Sequence, residues 1–389
     1  MKDARASDVQ HTSLAANLRD LRLVVLLCFT ILVWLVFHFV FTDGFVLTAR
    51  NLSTLSVQMA VTAILSIGMA LLLIAREIDL SAGAVMALII VVIFQMQVPL
   101  GMGTGPTVVL ALLFGAAVGL LHGLIRVWLL IPSFLITLAG FSWIRGAAYI
   151  IADGETVAGA SESFYLISNS EVAPALSGVV IAMVAAILLW GAVSKIRGWS
   201  SKLPVTRALE AVQLVLLLFF SAGAIWVFTN YRGLPYPTLL LACLAVSFHL
   251  MTRHTNIGRH IYAVGGNPEA AKRVGINVPL IIVLLFVLMG LISAVAAIVQ
   301  ASLLDAAPPG IGVLLALNAI SAAIIGGTNL FGGQGTIPGA IAGALLMASI
   351  SNGLSLAGAN TFYQMVATGL ILLVAVGLDS FTRRNEVRM

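Results

Sequence analysis

Apolar runs separated by short polar or charged stretches order this chain. They fall at roughly 22–41, 55–75, 81–98, 106–129, 132–152, 176–193, 211–229, 236–251, 279–300, 313–327, 338–353 and 362–379. A helix needs about 20 apolar residues to cross a bilayer, and fewer where it is re-entrant or broken. The tenth and eleventh runs are short. They fit either a hairpin or two half-helices around a glycine loop, so the pattern predicts ten to twelve crossings. The expected fold is all-α, a polytopic transmembrane helical bundle.

Charge tests this map. Twelve crossings with the N-terminus inside place 17 of the 20 basic residues in cytoplasmic segments. The outer segments keep Arg50 and Arg232, and Arg145 falls inside a span. The outer 153–175 loop carries Asp153, Glu155, Glu162 and Glu171 without a basic residue. This is a positive-inside pattern. Both termini are basic, so both are expected in the cytoplasm and the number of crossings is expected to be even. The expected organisation is a cytoplasmic tail over 1–21, a transmembrane domain over 22–379 with a cytoplasmic loop at 252–278, and a cytoplasmic tail over 380–389. The first run lacks a small-residue cleavage site after it and reads as a retained helix.

Composition narrows the function classes. Of 389 residues, 60% are hydrophobic and 9% charged, and the mean hydropathy is +1.09. Soluble domains are about one quarter charged. A soluble enzyme is excluded, as is a nucleic-acid partner, since the net charge of +5 rests on scattered residues. The expected surroundings are a lipid bilayer. Cys28 and Cys243 sit in apolar runs without metal-ligand neighbours, so no metal site is expected.

The glycines repeat at helical spacing. Gly115, Gly119 and Gly123 form one small-residue stripe, and Gly339 and Gly343 another. Such stripes let helix backbones approach closely in lipid. The glycine-rich stretch with Gly326, Gly327, Gly332, Gly333 and Gly335 has no Gly-Lys-Ser/Thr ending, so it is not a nucleotide-binding P-loop. It suits a tight hairpin or a point of movement between two half-spans.

Ion-coupled carriers place ionisable residues near the membrane midplane. Here Arg145 is the charge that lies well inside a span, and it is near enough to the outer end to snorkel. His122 and His249 read as interfacial residues near helix ends. Gln58, Asn318, Ser321, Ser351 and Asn352 are polar side chains within spans, and together with Arg145 they are the pathway candidates. Packing between helices is the competing role for each polar candidate. No catalytic constellation lies within the spans. A transport protein without energy-coupling chemistry of its own either conducts passively or borrows energy from a partner.

The 252–278 loop carries the most local information. Asn267 suits a helix N-cap, Pro268 the first turn and Glu269 the positive helix end. Lys272 and Arg273 suit the negative end, and Gly275 a C-cap. The spacing predicts a helix of about two turns, bounded at both ends. A short capped helix is a candidate docking element, with Ala270 and Ala271 as its small face. A surface helix without a partner is the alternative.

Glu269-Ala270-Ala271, followed after three residues by Gly275, resembles the EAA-x-x-x-G coupling motif of ABC importer permeases. The preceding Ile261-Tyr262-Ala263-Val264-Gly265-Gly266-Asn267 is similar to the ribose/xylose carbohydrate-uptake class. So are Ile78-Asp79-Leu80-Ser81-Ala82-Gly83, Pro132-Ser133-Phe134-Leu135-Ile136-Thr137-Leu138-Ala139-Gly140 and the glycine stretch from Gly326. An extra span near 190–235, Glu77 before Ile78, and the Asn230-Tyr231-Arg232-Gly233-Leu234-Pro235 exit are most similar to the D-xylose permeases.

The resemblance implies a membrane subunit of an ATP-driven importer in the bacterial inner membrane. Its cargo would be a monosaccharide, D-xylose first, with ribose, arabinose, galactose or an autoinducer as alternatives. Implied partners are a second copy of the chain, an ATP-binding subunit and a periplasmic sugar-binding protein. No cofactor is expected on this chain, since ATP and Mg would sit on the ATPase. Implied ATPase contacts are Glu269, Ala270, Ala271 and Gly275, with Arg259, Lys272 and Arg273 at the rim. An ion-coupled secondary carrier is the competing class.

Overall fold

The computed structural model describes residues 21–196 and 204–386. Each apolar run becomes one helix, from 13 to 27 residues long. In chain order these are α1 (Leu21–Phe41), α2 (Ala49–Ile74), α3 (Ala82–Gln97), α4 (Thr104–Leu129), α5 (Ser133–Ile151), α7 (Pro174–Ile196), α8 (Pro204–Asn230), α9 (Tyr236–His254), α12 (Val278–Leu304), α13 (Val313–Ile325), α14 (Ile337–Leu356) and α15 (Thr361–Glu386). Shorter helices lie between them: α6 (Glu162–Asn169), α10 (Asn256–Gly266) and α11 (Pro268–Arg273). Among the described residues, 8 helices are long and apolar enough to cross a membrane. Among the described residues, strand structure is confined to two-residue bridges, such as Val157–Ala158 against Ala306–Ala307. The chain is an all-α, polytopic helical bundle.

The predicted margins differ in detail. Residues 1–20 of the N-terminal tail and 387–389 of the C-terminal tail lie outside the described residues. Over 380–386 the sequence predicts a tail, but α15 continues as helix to Glu386. Part of the segment between the sixth and seventh apolar runs is helical, because α7 runs to Ile196 and α8 starts at Pro204.

The chain divides into two compact units. One holds α1, the start of α2, residues 171–234 and residues 352–358. Here α7 and α8 pack together, and Trp34 meets Phe220 edge-on at 6.0 Å. Ser177 ties the ends of α7 and α8: its hydroxyl donates to the Val172 carbonyl (2.9 Å) and accepts from Leu234 N (2.9 Å). Large apolar side chains such as Ile187 and Trp190 stay exposed on α7. An outward apolar surface of this kind suits a helix that faces lipid.

The other unit holds residues 56–170, 235–351 and 359–389. Its α3 is apolar on every side and almost wholly buried, as an all-apolar helix must be. At 16 residues it is about 24 Å long, short of the roughly 30 Å hydrocarbon core. Burial within protein removes the need to match that thickness. The glycine stripe of α4 lies against α12. A methyl on Gly119 would overlap the Phe286 carbonyl, and one on Gly123 would sit 2.9 Å from Val283 Cα. Gly290 returns the contact against Gly115. The second stripe, Gly339 and Gly343, faces Gly326 and Ala322 at the end of α13. Both stripes are helix interfaces, where small residues permit close backbone approach.

Segments that alternating crossings place on one side do meet. Gln95 donates to the Ile151 carbonyl (3.1 Å), Ser161 N donates to Gln97 Oε1 (3.1 Å), and Ala160 N to Asp305 Oδ1 (3.0 Å). Ser302 on α12 anchors α6, accepting from Ser168 N (2.9 Å) and donating to the Phe164 carbonyl (2.9 Å). At the opposite end, the α2–α3, α10–α11 and α13–α14 connections gather.

Candidate functional site

The gathered connections are built by local chemistry. Asn267 begins α11, its side-chain oxygen accepting from Ala270 N (3.0 Å). Pro268 occupies the first turn, where its missing N–H costs nothing. At the other end, Gly275 N donates to the Lys272 carbonyl and Ile276 N to the Ala271 carbonyl, each 3.1 Å. This is a Schellman closure, which requires a left-handed residue, and Gly275 has φ +89°. The sequence therefore specifies both ends of α11, although its six residues make it shorter than two full turns.

The two alanines part company. Ala271 is buried in the chain's own core, whereas Ala270 is exposed. Successive helical residues point about 100° apart, so only one can face a partner. Glu269, Lys272 and Arg273 are exposed beside Ala270. Arg259 is exposed on α10, where its guanidinium bonds Asn256 Oδ1. The exposed surface of α11 is thus Glu269, Ala270, Lys272 and Arg273, continued by Gly275 just past its end, with Ala271 as the inward anchor.

The glycine loop packs against the ends of α2 and α10. It joins α13 to α14, with positive φ at Gly327, Gly332 and Gly333. Gly333 N donates to the Ile74 carbonyl (2.8 Å). The Tyr262 hydroxyl of α10 donates to the Gly335 carbonyl (2.8 Å). Gly326 closes α13, its N–H bonded to the Ala322 carbonyl (2.9 Å). The loop is a tight connection clamped between α2 and α10.

Next to the end of α2, the α2–α3 connection holds a buried ion pair. Glu77 faces Arg126 of α4 at 3.0 Å, and Arg126 Nε also reaches both carboxylate oxygens. Asp79 Oδ1 accepts from Ser81 N (2.7 Å) and Ser81 Oγ (2.5 Å). Asp79 thus shapes the entry to α3. Ser81 holds the N-cap position but makes no capping bond with its side chain. Thr137 and Ser133 of α5 bond the backbone of Leu80 and Ile78 (3.1 and 3.0 Å). His122 corrects an expectation: it is buried rather than interfacial. Its Nδ1 lies 3.4 Å from Ser81 Oγ, and the absent side chain of Gly140 makes room for its ring.

These motifs sit far apart in the chain yet form one joint, and the comparisons with known proteins identify what carries it. Residues 51–376 match the family described as "Branched-chain amino acid transport system / permease component". The chain is 37% identical over 376 residues to the xylose transport system permease protein XylH of Escherichia coli (strain K12), covering 95% of each. The chain belongs to this permease family. It is also 35% identical over 365 residues to XylH of Haemophilus influenzae, covering 93% of this chain and 97% of the relative. The ribose import permease protein RbsC of Escherichia coli is 30% identical over 334 residues, with 86% of each covered. No solved structure gives a significant match. The permease is a multi-pass membrane protein and a transport subunit, not an enzyme.

The permease's pathway candidates each have their own surroundings. Arg145 is flanked on α5 by the rings of Phe141 and Tyr149, at 5.8 and 5.7 Å. Ser321 bonds the Leu317 carbonyl of its own helix (2.8 Å). Gln58 is exposed, and Ser351 partly so. Asn318 Oδ1 is buried without a partner. Asn352 pairs with Asn51, the two side chains exchanging bonds of 2.9 and 3.1 Å. That is a packing contact. Asn352→Ala is expected to cost about 1–3 kcal/mol by stranding an amide. Thermal unfolding should shift downward while uptake per folded permease stays constant. A selective loss of uptake would return Asn352 to the pathway.

Sequence reasoning missed the Glu77–Arg126 pair and the partners of Arg76 and Tyr262. A signal for the first existed: Glu77 is an acidic residue among predominantly basic segments on its side, and Arg126 ends a span on that same side.

Proposed function

We propose that this chain is the membrane-spanning subunit of an ATP-driven importer of D-xylose. The observation that carries the reading is similarity to a xylose permease along 95% of both chains. The lower identity and coverage with the ribose permease favour xylose over ribose. The extra α7–α8 region supports the same choice.

In this reading two copies of the chain form the pathway in the bacterial inner membrane, with both termini in the cytoplasm. A periplasmic binding protein delivers the sugar at the outer end. An ATP-binding subunit carrying ATP and Mg docks on α11. Glu269, Lys272 and Arg273 pair with it at the rim, and Ala270 allows close approach. Hydrolysis on that subunit moves α11, and the joint behind it changes the access of the pathway. A neutral, hydroxyl-rich cargo needs weak hydrogen bonds rather than charges along its route. Such a route agrees with spans that carry few ionisable residues.

Labelled D-xylose uptake in cells carrying the complete system tests the substrate. Excess unlabelled D-xylose should compete, while ribose and allose should not. Equal competition by ribose would overturn the xylose assignment. Glu269→Ala combined with Gly275→Val should abolish uptake and weaken recovery of the ATP-binding subunit with the permease. Unchanged recovery and uptake would remove α11 from the docking role.

A further inference from the structure

The last turn of α2 contains a conformational anomaly. Arg76 N donates to the Leu73 carbonyl (3.0 Å) and Glu77 N to the Leu72 carbonyl (2.9 Å). This is a Schellman closure with Arg76 at its left-handed position, φ +66°. Glycine occupies that conformation freely, whereas an arginine is strained there. Strain of this kind persists where the surrounding structure makes use of the side chain.

The side chain is engaged. Arg76 Nε donates to the Gly265 carbonyl (2.6 Å) and Nη2 to the Gly266 carbonyl (2.5 Å). These are the last carbonyls of α10, which have no intrahelical donor and sit at the negative end of the helix dipole. A fixed, planar cation with several donors suits that end. The next residue, Asn267, is both the C-cap of α10 and the N-cap of α11. Gly332 lies against the Arg76 stem, where any side chain would overlap it. The residue after Arg76 is Glu77, bonded to Arg126 on α4. One connection therefore links the base of α11 to α2, and through Glu77 to α4.

We propose that Arg76 is a positioning residue that carries movement of α11 into α2 and α4, so that its guanidinium couples the docking helix to the transport helices. This rests on the reading of α11 as the ATPase docking helix. It adds the element through which docking acts on the bundle.

The test uses the complete transporter in proteoliposomes: permease, ATP-binding subunit and binding protein. Sugar uptake and ATP hydrolysis are read together. Arg76→Gly relieves the strained position and removes only the clamp, so assembly and basal hydrolysis should persist. Stimulation of hydrolysis by sugar-loaded binding protein should vanish, and sugar moved per ATP should fall by about tenfold, within the range by which a mutation in a coupling network changes coupling. Arg76→Lys keeps the charge but offers no planar fork, and should give an intermediate ratio. Normal stimulation and a normal sugar-to-ATP ratio in Arg76→Gly would overturn the proposal. So would loss of the ATP-binding subunit from both variants, which would make Arg76 an assembly residue. The intact chain reads the underlying function separately. If it recruits the ATPase but moves no xylose, the sugar assignment falls and stimulated hydrolysis still reports on the clamp. If it recruits no ATPase, both readings fall.

Discussion

Arg126→Met is expected to destabilise the permease severely, and Glu77→Gln in the same chain is expected to restore most of the loss. The Glu77 side chain is 4% exposed, and Arg126 is 24% exposed. Removing the arginine alone leaves a carboxylate in a site that excludes water. Breaking a buried pair from one side costs about 3–5 kcal/mol, whereas replacing both charges is often close to neutral. The residual exposure of Arg126 places the single variant toward the lower end of that range. Thermal unfolding of the purified chain in detergent reads both variants. An Arg126→Met protein as stable as the parent would show that the pair contributes nothing. A double variant no better than the single one would show that Arg126 acts through packing rather than charge.

Gly265→Val should disable the joint, while Gly266→Ala next to it should be tolerated. A Cβ on Gly265 would overlap the Ile74 carbonyl and sit 2.8 Å from Gly333 N. Both neighbours are backbone atoms, and they are bonded to each other at 2.8 Å. Neither can rotate aside. Overpacking typically costs about 1–3 kcal/mol, and this position should reach the upper end because three chain segments must separate. A Cβ on Gly266 meets nothing within 4 Å. Uptake corrected for membrane level should therefore collapse in the first variant and change little in the second. Similar behaviour of the two would contradict the close approach of α2, α10 and the glycine loop.

What the sequence reveals here follows the range of the interactions. The long helices were legible because a bilayer-length apolar run needs only local composition. The ends of α11 were legible because Asn267, Pro268 and Gly275 act on their own backbone. Which alanine of α11 faces inward was not legible, because that depends on what lies behind the helix. The glycine stripe on α4 announced a close interface but not α12 as its partner. Pairings across long separations were invisible: Asn51 and Asn352 are 301 residues apart, and Arg76 and Gly265 are 189 apart. His122 was misplaced for the same reason. Its burial comes from Ser81 and Gly140 on neighbouring helices, which its own run does not announce. The family resemblance named stretches that the fold brings to one joint. It did not indicate that an arginine in a left-handed turn joins two of them.

The central claim is that transport is driven by ATP through a docked partner. D-xylose uptake into proteoliposomes containing the complete complex tests it most directly, with ATP supplied and the proton gradient either present or collapsed. The account predicts uptake that requires both ATP and the ATP-binding subunit and is unchanged when the gradient is removed. Uptake that proceeds without ATP and disappears with the gradient would contradict it and identify an ion-coupled carrier instead.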